Sequence, residues 1–296
     1  RQARINQSRR RFLIDTEARM RAFEALAESR GAPVRVNVEI DVGIRRGGAI
    51  DEDELLSMLA VIDGSSLLEF AGFMGYDGHV PFAPEGIDPD AEFVAVQQRY
   101  QELVDAARDA YPALVGDAPL FNGGGSRTYH LYTDELESPI NEVAMGSAFF
   151  YPENFSNLVD TELRTATYLA SPVLKRVDPA ELPFARGLLP AAAASDPNLE
   201  VSFHLDGAGY PADYVHPAGL VENPFNPPTP GAVNLLSNQP EWLGSRDLPL
   251  EVDDFVFYHP WEGDGVRWLS LLEVFRGGTW VDQWPTFQPG TSAGAS

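Results

Sequence analysis

Chemistry is first suggested by a glycine-rich segment at residues 122–128, with the sequence Asn-Gly-Gly-Gly-Ser-Arg-Thr. Three adjacent glycines let backbone N–H groups converge on an anion, and two hydroxyl side chains add donors, so the segment predicts a phosphate-binding loop. The residues assigned to phosphate binding are Gly123, Gly124, Gly125, Ser126 and Thr128. A tight turn without a ligand is the alternative, because turns also favour glycine.

A second short segment, Met145-Gly146-Ser147, follows further along the chain. We expect its backbone to meet the same phosphate, and we therefore count Gly146 and Ser147 among the predicted cofactor-binding residues. An ordinary strand is the alternative, because the segment has no specific signal of its own.

Side chains that carry charge or move protons follow two other apolar segments. Arg46 comes after the acidic run at 39–41, and an arginine in such a place can hold a carboxylate or a phenolate oxygen. Tyr76 and His79 belong to a tight turn at 75–79, where a histidine can stack on an aromatic cofactor or transfer a proton. A solvated arginine and a hydrogen-bonded structural histidine are the alternatives.

The C-terminal half contributes a histidine–aspartate pair. In an alternating strand His204 and Asp206 share one face, a spacing that can bind a metal. A satisfied structural pair is the alternative.

Each glycine, arginine or histidine motif of the first half follows a predicted β-strand. The strands are predicted at 11–15, 34–42, 67–74, 119–121 and 143–151, and the helices at 16–31, 51–62 and 90–111. Strands that alternate with helices form parallel sheets. In barrels of this kind the active site is built from the loops that follow the strands, so the motifs are predicted to share one edge.

The fold class predicted from this pattern is α/β, a partial (β/α)8 TIM-type barrel followed by a C-terminal β domain. Five strands are fewer than the eight of a closed barrel, so we expect the first strands to be missing, as the non-Met first residue also suggests. The predicted domains are 1–162 for the barrel portion, 163–289 for the β domain and 290–296 for a disordered tail.

Within the β domain, strands are predicted at 250–258, 269–275 and 279–284. Arg276-Gly277-Gly278 is predicted to form a hairpin turn between the last two strands. Four prolines between 224 and 230 predict an extended loop.

Composition excludes several classes of protein and site. Forty-four acidic residues against 21 basic ones give a formal charge of −23, which repels nucleic acid and anionic lipid. The absence of cysteine excludes disulfides and thiolate zinc sites. No apolar run is long enough to cross a bilayer, and no charged segment followed by an apolar one predicts a secretory signal. We therefore expect a cytoplasmic protein with neither nucleic-acid nor membrane partners.

Taken together, the motifs resemble the D-threonine aldolase and D-serine dehydratase family, within the alanine-racemase-like (fold-type III) pyridoxal-phosphate enzymes. The similar segments are residues 38–48, Gly75-Tyr-Asp-Gly-His79, the glycine-rich loop at 122–128, Asn141-Glu-Val-Ala-Met-Gly-Ser147, His259 and Val281-Asp-Gln-Trp-Pro285. They occur in the family's order along almost the whole chain.

The resemblance implies a pyridoxal-phosphate-dependent lyase acting on D-3-hydroxy amino acids, and a homodimer. It implies that the glycine-rich loop and Gly146 hold the phosphate, that His79 lies under the pyridine ring, and that Arg46 touches the phenolic oxygen or the substrate carboxylate. His259 would face the substrate β-hydroxyl, with or without a divalent metal (Zn or Mn). Aldolase and dehydratase chemistry both stay open.

Two departures from the family pattern bear on function. The family's Schiff-base lysine has no counterpart here, since the one lysine, Lys175, lies outside the barrel pattern; we expect it upstream of Arg1. The family's second metal ligand falls on Trp261, which cannot ligate, and Glu262 and Asp264 are the alternative ligands. An amino acid racemase and a catalytically inactive phosphate-binding homologue are therefore the alternatives.

Overall fold

A computed structural model describes residues 10–116, 119–150, 164–182, 185–207, 211–223 and 239–286. The chain divides into two compact units, Arg1–Gly146 and Ser147–Ser296. The predicted domain boundary at 162/163, the proline-rich segment at 224–230 and the tail at 290–296 lie outside the described residues.

The first unit is built on a parallel sheet of five strands in the order β1-β2-β3-β4-β5. Its strands are β1 (Phe12–Ile14), β2 (Val34–Glu39), β3 (Leu68–Gly75), β4 (Leu120–Gly123) and β5 (Glu142–Val143). The connections contain α1 (Glu17–Arg30), α2 (Glu52–Gly64), α3 (Pro89–Ala110) and the short α4 (Pro112–Val115). Strands that follow one another in the sequence are also neighbours in the sheet. This order results when each strand–helix unit adds its strand to the same edge of the sheet.

The helix boundaries follow from capping residues. Thr16 caps α1 by accepting a hydrogen bond from the Arg19 N–H, and Gly31 ends the helix in the left-handed conformation at φ 58°. Asp51 caps α2 in the same way through the Glu54 N–H. The predicted starts of these two helices are confirmed.

One hydrophobic core lies between the sheet and its helices. Its members have almost no solvent exposure and come from strands and helices alike, including Val36, Val38, Leu59, Phe73 and Tyr100. The core therefore fixes the positions of the strand ends, from which the predicted site residues project.

The sheet is strongly curved. Arg11, next to β1, lies 3.4 Å from Glu142 of β5 between Nη2 and Oε2, although these strands are the two edges of the sheet. In a flat sheet four strand spacings would separate the edges by about 19 Å, which is farther than an arginine and a glutamate can jointly span. The strands must therefore wrap around a concave face, as in part of a barrel.

The fifth predicted strand is wrong in length. β5 contains only Glu142–Val143, and a 3₁₀ helix occupies Ser147–Phe150 where residues 143–151 were expected to be extended. The Ala144 N–H still donates to the Gly123 carbonyl of β4 at 2.8 Å, whereas the Gly146 N–H donates to the Ser126 side chain at 3.0 Å. Tyr151 itself lies outside the described residues.

The second unit is a β domain, as predicted. A six-stranded sheet has the order β8-β11-β6-β7-β10-β9, and β12 and β13 form a separate hairpin. The strands are β6 (Leu169–Val177), β7 (Val201–Leu205), β8 (Ala212–His216), β9 (Val221–Glu222), β10 (Glu241–Gly244), β11 (Phe255–Pro260), β12 (Leu271–Arg276) and β13 (Thr279–Pro285). One short helix, α5 (Leu188–Ala193), lies among them.

Two local predictions in this unit have different outcomes. The hairpin turn is confirmed, because Gly277 and Gly278 both adopt positive φ, 56° and 76°, as a tight turn between antiparallel strands requires. The strand predicted at 250–258 begins late, at Phe255, because Asp253 adopts φ 75° in a turn where the Glu251 N–H donates to Asp254.

Within the described part of the chain, no helix combines the length and the apolar character needed to cross a membrane.

Candidate functional site

The predicted site segments of the first unit share one edge of the sheet. Arg46 follows β2, Tyr76 follows β3 directly, and the glycine-rich loop begins at the end of β4. Because these strands are parallel neighbours, their carboxyl ends lie side by side. The arrangement brings an arginine, an aromatic ring and a glycine loop together from three separate parts of the sequence.

Tyr76 contacts both the arginine and the loop. The Arg46 guanidinium lies 4.4 Å from the centre of the Tyr76 ring, a cation–π contact. A Cβ atom at Gly125 would lie 2.8 Å from Tyr76 Cε2, and one at Gly78 would lie 2.2 Å from the same ring. The two glycines therefore allow the tyrosine to pack directly against backbone.

The positive charge of Arg46 also partly offsets the cost of burying the Glu39 carboxylate. Burial raises the pKa of Glu39, at the end of β2, and the positive charge of Arg46 opposes that shift. The guanidinium is thus placed by an aromatic face and by an acidic group, while the residue itself stays exposed to solvent. An exposed cation held in this way can bind a carboxylate or a phenolate.

The turn before Arg46 is held by Asp41, a residue that was not among the predicted site residues. Its buried carboxylate accepts hydrogen bonds from the Gly43 N–H at 2.8 Å and from the Arg45 N–H at 3.1 Å. Arg45 takes the left-handed conformation at φ 56°, and its guanidinium lies 3.7 Å from Asp41 Oδ2. An aspartate two residues before a glycine at a strand end is the usual signal for such a turn.

His79 is oriented by an acidic partner on α3. Its Nε2 lies 3.1 Å from Glu92 Oε1, and its Nδ1 is buried with no hydrogen-bond partner among the described residues. Gly43 makes room for the ring, since a Cβ there would lie 2.7 Å from His79 Nε2. If Nε2 carries the proton, Glu92 accepts it and Nδ1 is left as an acceptor.

The glycine loop presents uncommitted donors. Gly124 takes φ 79°, a conformation that disfavours residues with side chains. The described residues provide no hydrogen-bond acceptor for the N–H groups of Gly125 and Ser126. Ser126 Oγ accepts from the Gly146 N–H, so the two segments predicted to bind phosphate do meet. Adjacent donors of this kind form a concave anion site.

A buried carboxylate holds the same loop from behind. Asp77 is fully buried, and its two oxygens accept hydrogen bonds from the Thr128 hydroxyl at 2.6 Å and the Tyr132 hydroxyl at 2.7 Å. Burial raises the pKa of Asp77, and the two hydroxyl donors oppose that shift. Thr128 is fully buried as well, so its hydroxyl proton is engaged with Asp77.

This network continues into α3 and the turn beyond the loop. The Gln97 side-chain amide donates to the Tyr132 hydroxyl at 3.2 Å, and the Ser138 hydroxyl donates to the Gln97 carbonyl at 2.6 Å. Burial and the neighbouring Asp77 charge raise the pKa of Tyr132, which keeps the phenol neutral and able to donate. Asp77 thus ties the loop to a helix and to a second turn.

The remaining predicted residues lie in the second unit. Ser147 begins that unit, and its hydroxyl accepts from the Gly263 N–H at 3.1 Å. His259 is on β11 opposite Asp213, with its ring 4.7 Å from that of Tyr168. Lys175 is an exposed residue of β6, and residues 1–146 contain no lysine.

The predicted histidine–aspartate pair is not a same-face pair within one strand. His204 lies on β7 opposite Glu241 and Lys175, whereas Asp206 lies beyond the end of that strand. The Asp206 N–H donates to the Pro172 carbonyl, and its carbonyl accepts from Ser171. Across the described ranges, no group of three or more His, Cys, Asp or Glu side chains is placed to hold a metal ion.

The first half of the chain matches a known protein family. The family model "Alanine racemase, N-terminal domain" matches residues 2–153. The chain belongs to this family. The resemblance to the alanine-racemase-like class is thereby confirmed, together with the barrel-type unit followed by a β domain.

The similar proteins are enzymes with different reactions. A 3-hydroxy-D-aspartate aldolase of Paracoccus denitrificans (strain Pd 1222) is 26% identical over 150 residues, which is 50% of this chain and 37% of the aldolase. A D-threonine aldolase structure from Filomicrobium marinum has a TM-score of 0.67 at 17% identity, covering 93% of this chain and 68% of that one.

Two further solved structures show the same fold. A D-threo-3-hydroxyaspartate dehydratase from Delftia sp. HT23 has a TM-score of 0.59 at 16% identity, covering 95% of this chain and 73% of that one. An alanine racemase from Bacillus anthracis has a TM-score of 0.59 at 12% identity, covering 93% and 73%. The chain spans little more than a third of the aldolase sequence it matches and about two thirds to three quarters of these structures.

Proposed function

We propose that this chain carries the pyridoxal-phosphate site of a lyase acting on D-3-hydroxy amino acids, by aldolase or dehydratase chemistry. The observation that carries the proposal is the loop at the end of β4, which lies beside the Tyr76–Arg46 pair and whose Gly125 and Ser126 N–H groups have no acceptor among the described residues. The aldolase and dehydratase names of its relatives support the reaction class.

The residues present fit this cofactor. Gly125 and Ser126 would hold its phosphate through backbone N–H groups, with the Ser126 hydroxyl as a further donor. Tyr76 would pack against the loop and line the same pocket edge, and Arg46 would bind the phenolic oxygen or the substrate carboxylate. When bound, pyridoxal phosphate supplies an electron sink for bond breaking at the substrate α-carbon.

His79 and Glu92 would act together beside the loop. Glu92 orients the imidazole through Nε2, so that His79 Nδ1 is presented as a buried acceptor with no partner among the described residues. An acceptor in that position can hold or move a proton. From the family resemblance we also propose His259, on β11, as a proton carrier for the substrate β-hydroxyl.

An alanine-racemase-type reaction is the second candidate function, because the family model and the Bacillus anthracis structure are racemases by name. A chain that binds the cofactor without catalysis is the third. These candidates differ in their products, whereas all three require cofactor binding.

The test is a titration with pyridoxal phosphate followed by product analysis. We expect saturable binding by the protein. We also expect D-threonine to give glycine and acetaldehyde, or D-threo-3-hydroxyaspartate to give a keto acid and ammonia. Appearance of the L-enantiomer alone would favour the racemase, and binding without turnover would favour the inactive homologue. No binding of pyridoxal phosphate would refute the proposal.

A further inference from the structure

Asp77, Thr128 and Tyr132 form a buried hydrogen-bond network next to the glycine loop, and the proposed function does not use it. Asp77 has no solvent exposure, and each of its oxygens accepts from a different hydroxyl, Thr128 at 2.6 Å and Tyr132 at 2.7 Å. A carboxylate is costly to bury unless it is well hydrogen-bonded. A buried carboxylate next to a loop predicted to bind an anion therefore needs a physical explanation.

The contacts around Asp77 coincide with the loop backbone. A Cβ at Gly125 would lie 3.5 Å from both Asp77 Oδ1 and Thr128 Oγ1, and a Cβ at Gly124 would lie 3.2 Å from the Tyr132 ring. The Gly125 carbonyl also accepts from the N–H groups of Thr128 and Tyr129, at 3.1 Å and 2.9 Å. The network thus fixes the direction in which the loop's peptide groups point.

Asp77 cannot itself be a phosphate ligand, because two anions repel each other. It can act only through the groups that it holds. Thr128 closes the turn of the loop, and Tyr132 is braced from the other side by Gln97 of α3. The effect of the carboxylate is therefore transmitted to the loop by two hydroxyl groups.

We propose that Asp77 is a positioning residue that fixes the glycine loop through Thr128 and Tyr132, and thereby makes the protein prefer a phosphorylated ligand over its phosphate-free analogue. This inference rests on the proposed function, whose cofactor is the phosphorylated ligand. Thr128 then serves the phosphate site indirectly, by holding the loop. The preference is lost when either hydroxyl or the carboxylate is removed.

The experiment measures dissociation constants by calorimetry for pyridoxal phosphate, pyridoxal and inorganic phosphate. Asp77→Asn, Thr128→Val and Tyr132→Phe should each weaken pyridoxal phosphate binding by roughly ten- to hundredfold, as expected for loss of a hydrogen bond to a charged group. Binding of pyridoxal should change less than about threefold by the same reasoning, because it lacks the group that the loop recognises.

Three variants of the same segment serve as controls. Thr128→Ser keeps the hydroxyl and should restore the preference that Thr128→Val loses. Tyr129→Phe and Thr133→Val remove hydroxyls outside the network and should bind all three probes like the parent. If Asp77→Asn does not fold, the Thr128→Val and Thr128→Ser pair still decides, since both retain the buried carboxylate.

The outcomes separate the two proposals. If the parent binds pyridoxal phosphate and the three network variants keep its preference over pyridoxal, the role of Asp77 is refuted while the proposed function stands. If the parent binds inorganic phosphate in an Asp77-dependent way but not pyridoxal phosphate, the proposed function is refuted and the positioning role stands. Binding of neither probe refutes both.

Discussion

Replacing Gly125 by alanine tests the contact on which the site geometry depends most. The new Cβ would lie 2.8 Å from Tyr76 Cε2. Carbon atoms in contact prefer about 3.5–4.0 Å, so ring and loop must separate by roughly 0.7 Å or more. The ring has little freedom to retreat, because the Arg46 guanidinium stacks on it and Gly78 packs against it.

The expected cost follows from the size of this overlap. Overpacking by one methyl group in a tight site costs about 1–3 kcal/mol. We therefore expect the free energy of unfolding of the first unit to fall by about 2 kcal/mol. The displaced loop should also bind pyridoxal phosphate about ten- to hundredfold more weakly, since about 1.4 kcal/mol corresponds to tenfold in affinity.

Urea unfolding and calorimetric titration of the same preparations measure both effects. Gly64→Ala is the matched control, because Gly64 is the last residue of α2 and a Cβ there would meet no atom within 4 Å. It should change stability by less than about 0.5 kcal/mol and leave cofactor affinity unchanged. A Gly125→Ala protein with the parent's urea midpoint and affinity would show that the loop does not pack on Tyr76 as described.

Three further predictions concern other parts of the chain. Gly72→Ala should prevent folding of the first unit, because Gly72 adopts φ 141° and a Cβ there would lie 1.9 Å from the Leu120 carbonyl oxygen. Circular dichroism and solubility measure this effect. A soluble variant that unfolds cooperatively would contradict the β3–β4 pairing. Arg246→Ala should lower the urea midpoint at neutral pH. Hydrogen bonding to Arg246 lowers the pKa of Asp178 below its ordinary value of 3.8, so this contribution is fully present above that value and is lost as the pH falls through the lower pKa of the folded state; a difference that does not shrink between pH 7 and pH 3 would exclude the ion pair as its cause. Exhaustive chelation of metal ions should leave the affinity for pyridoxal phosphate unchanged, because the donors of the glycine loop are N–H and hydroxyl groups. If chelation lowers the affinity and added zinc or manganese restores it, the prediction is wrong.

Local sequence patterns were sufficient to predict the elements of the first unit. Thr16, Gly31 and Asp51 are capping residues whose effect depends only on their own helix, and the first four strands lie within a few residues of their predicted places. The strand-end position of the arginine, tyrosine and glycine motifs then follows from parallel pairing alone. The prediction failed at β5, where the chain leaves the sheet after Val143 and the Gly146 N–H donates to Ser126, 20 residues earlier.

The polar contacts that organise the site could not be predicted in the same way. Asp77 meets Thr128 and Tyr132 across 51 and 55 residues of sequence, and His79 meets Glu92 across 13. A single aspartate in a glycine-containing turn has the same local pattern whether its carboxylate faces solvent or a buried hydroxyl. Only the packing of α3 and the loop against β3 makes the difference.

The contact between Arg11 and Glu142 shows why strand-end motifs converge on one site. The two residues are 131 positions apart and belong to opposite edges of the sheet, so neither local pattern nor strand order predicts that they meet. Asn122 of β4 donates to the same glutamate at 2.9 Å, which places a third polar side chain on the concave face. Curvature that brings the two edges within hydrogen-bonding reach must also turn the ends of β2, β3 and β4 toward a common axis. In a flat sheet the same residues would form a row along an edge; in this one, the curvature turns Arg46, Tyr76 and the glycine loop toward one another.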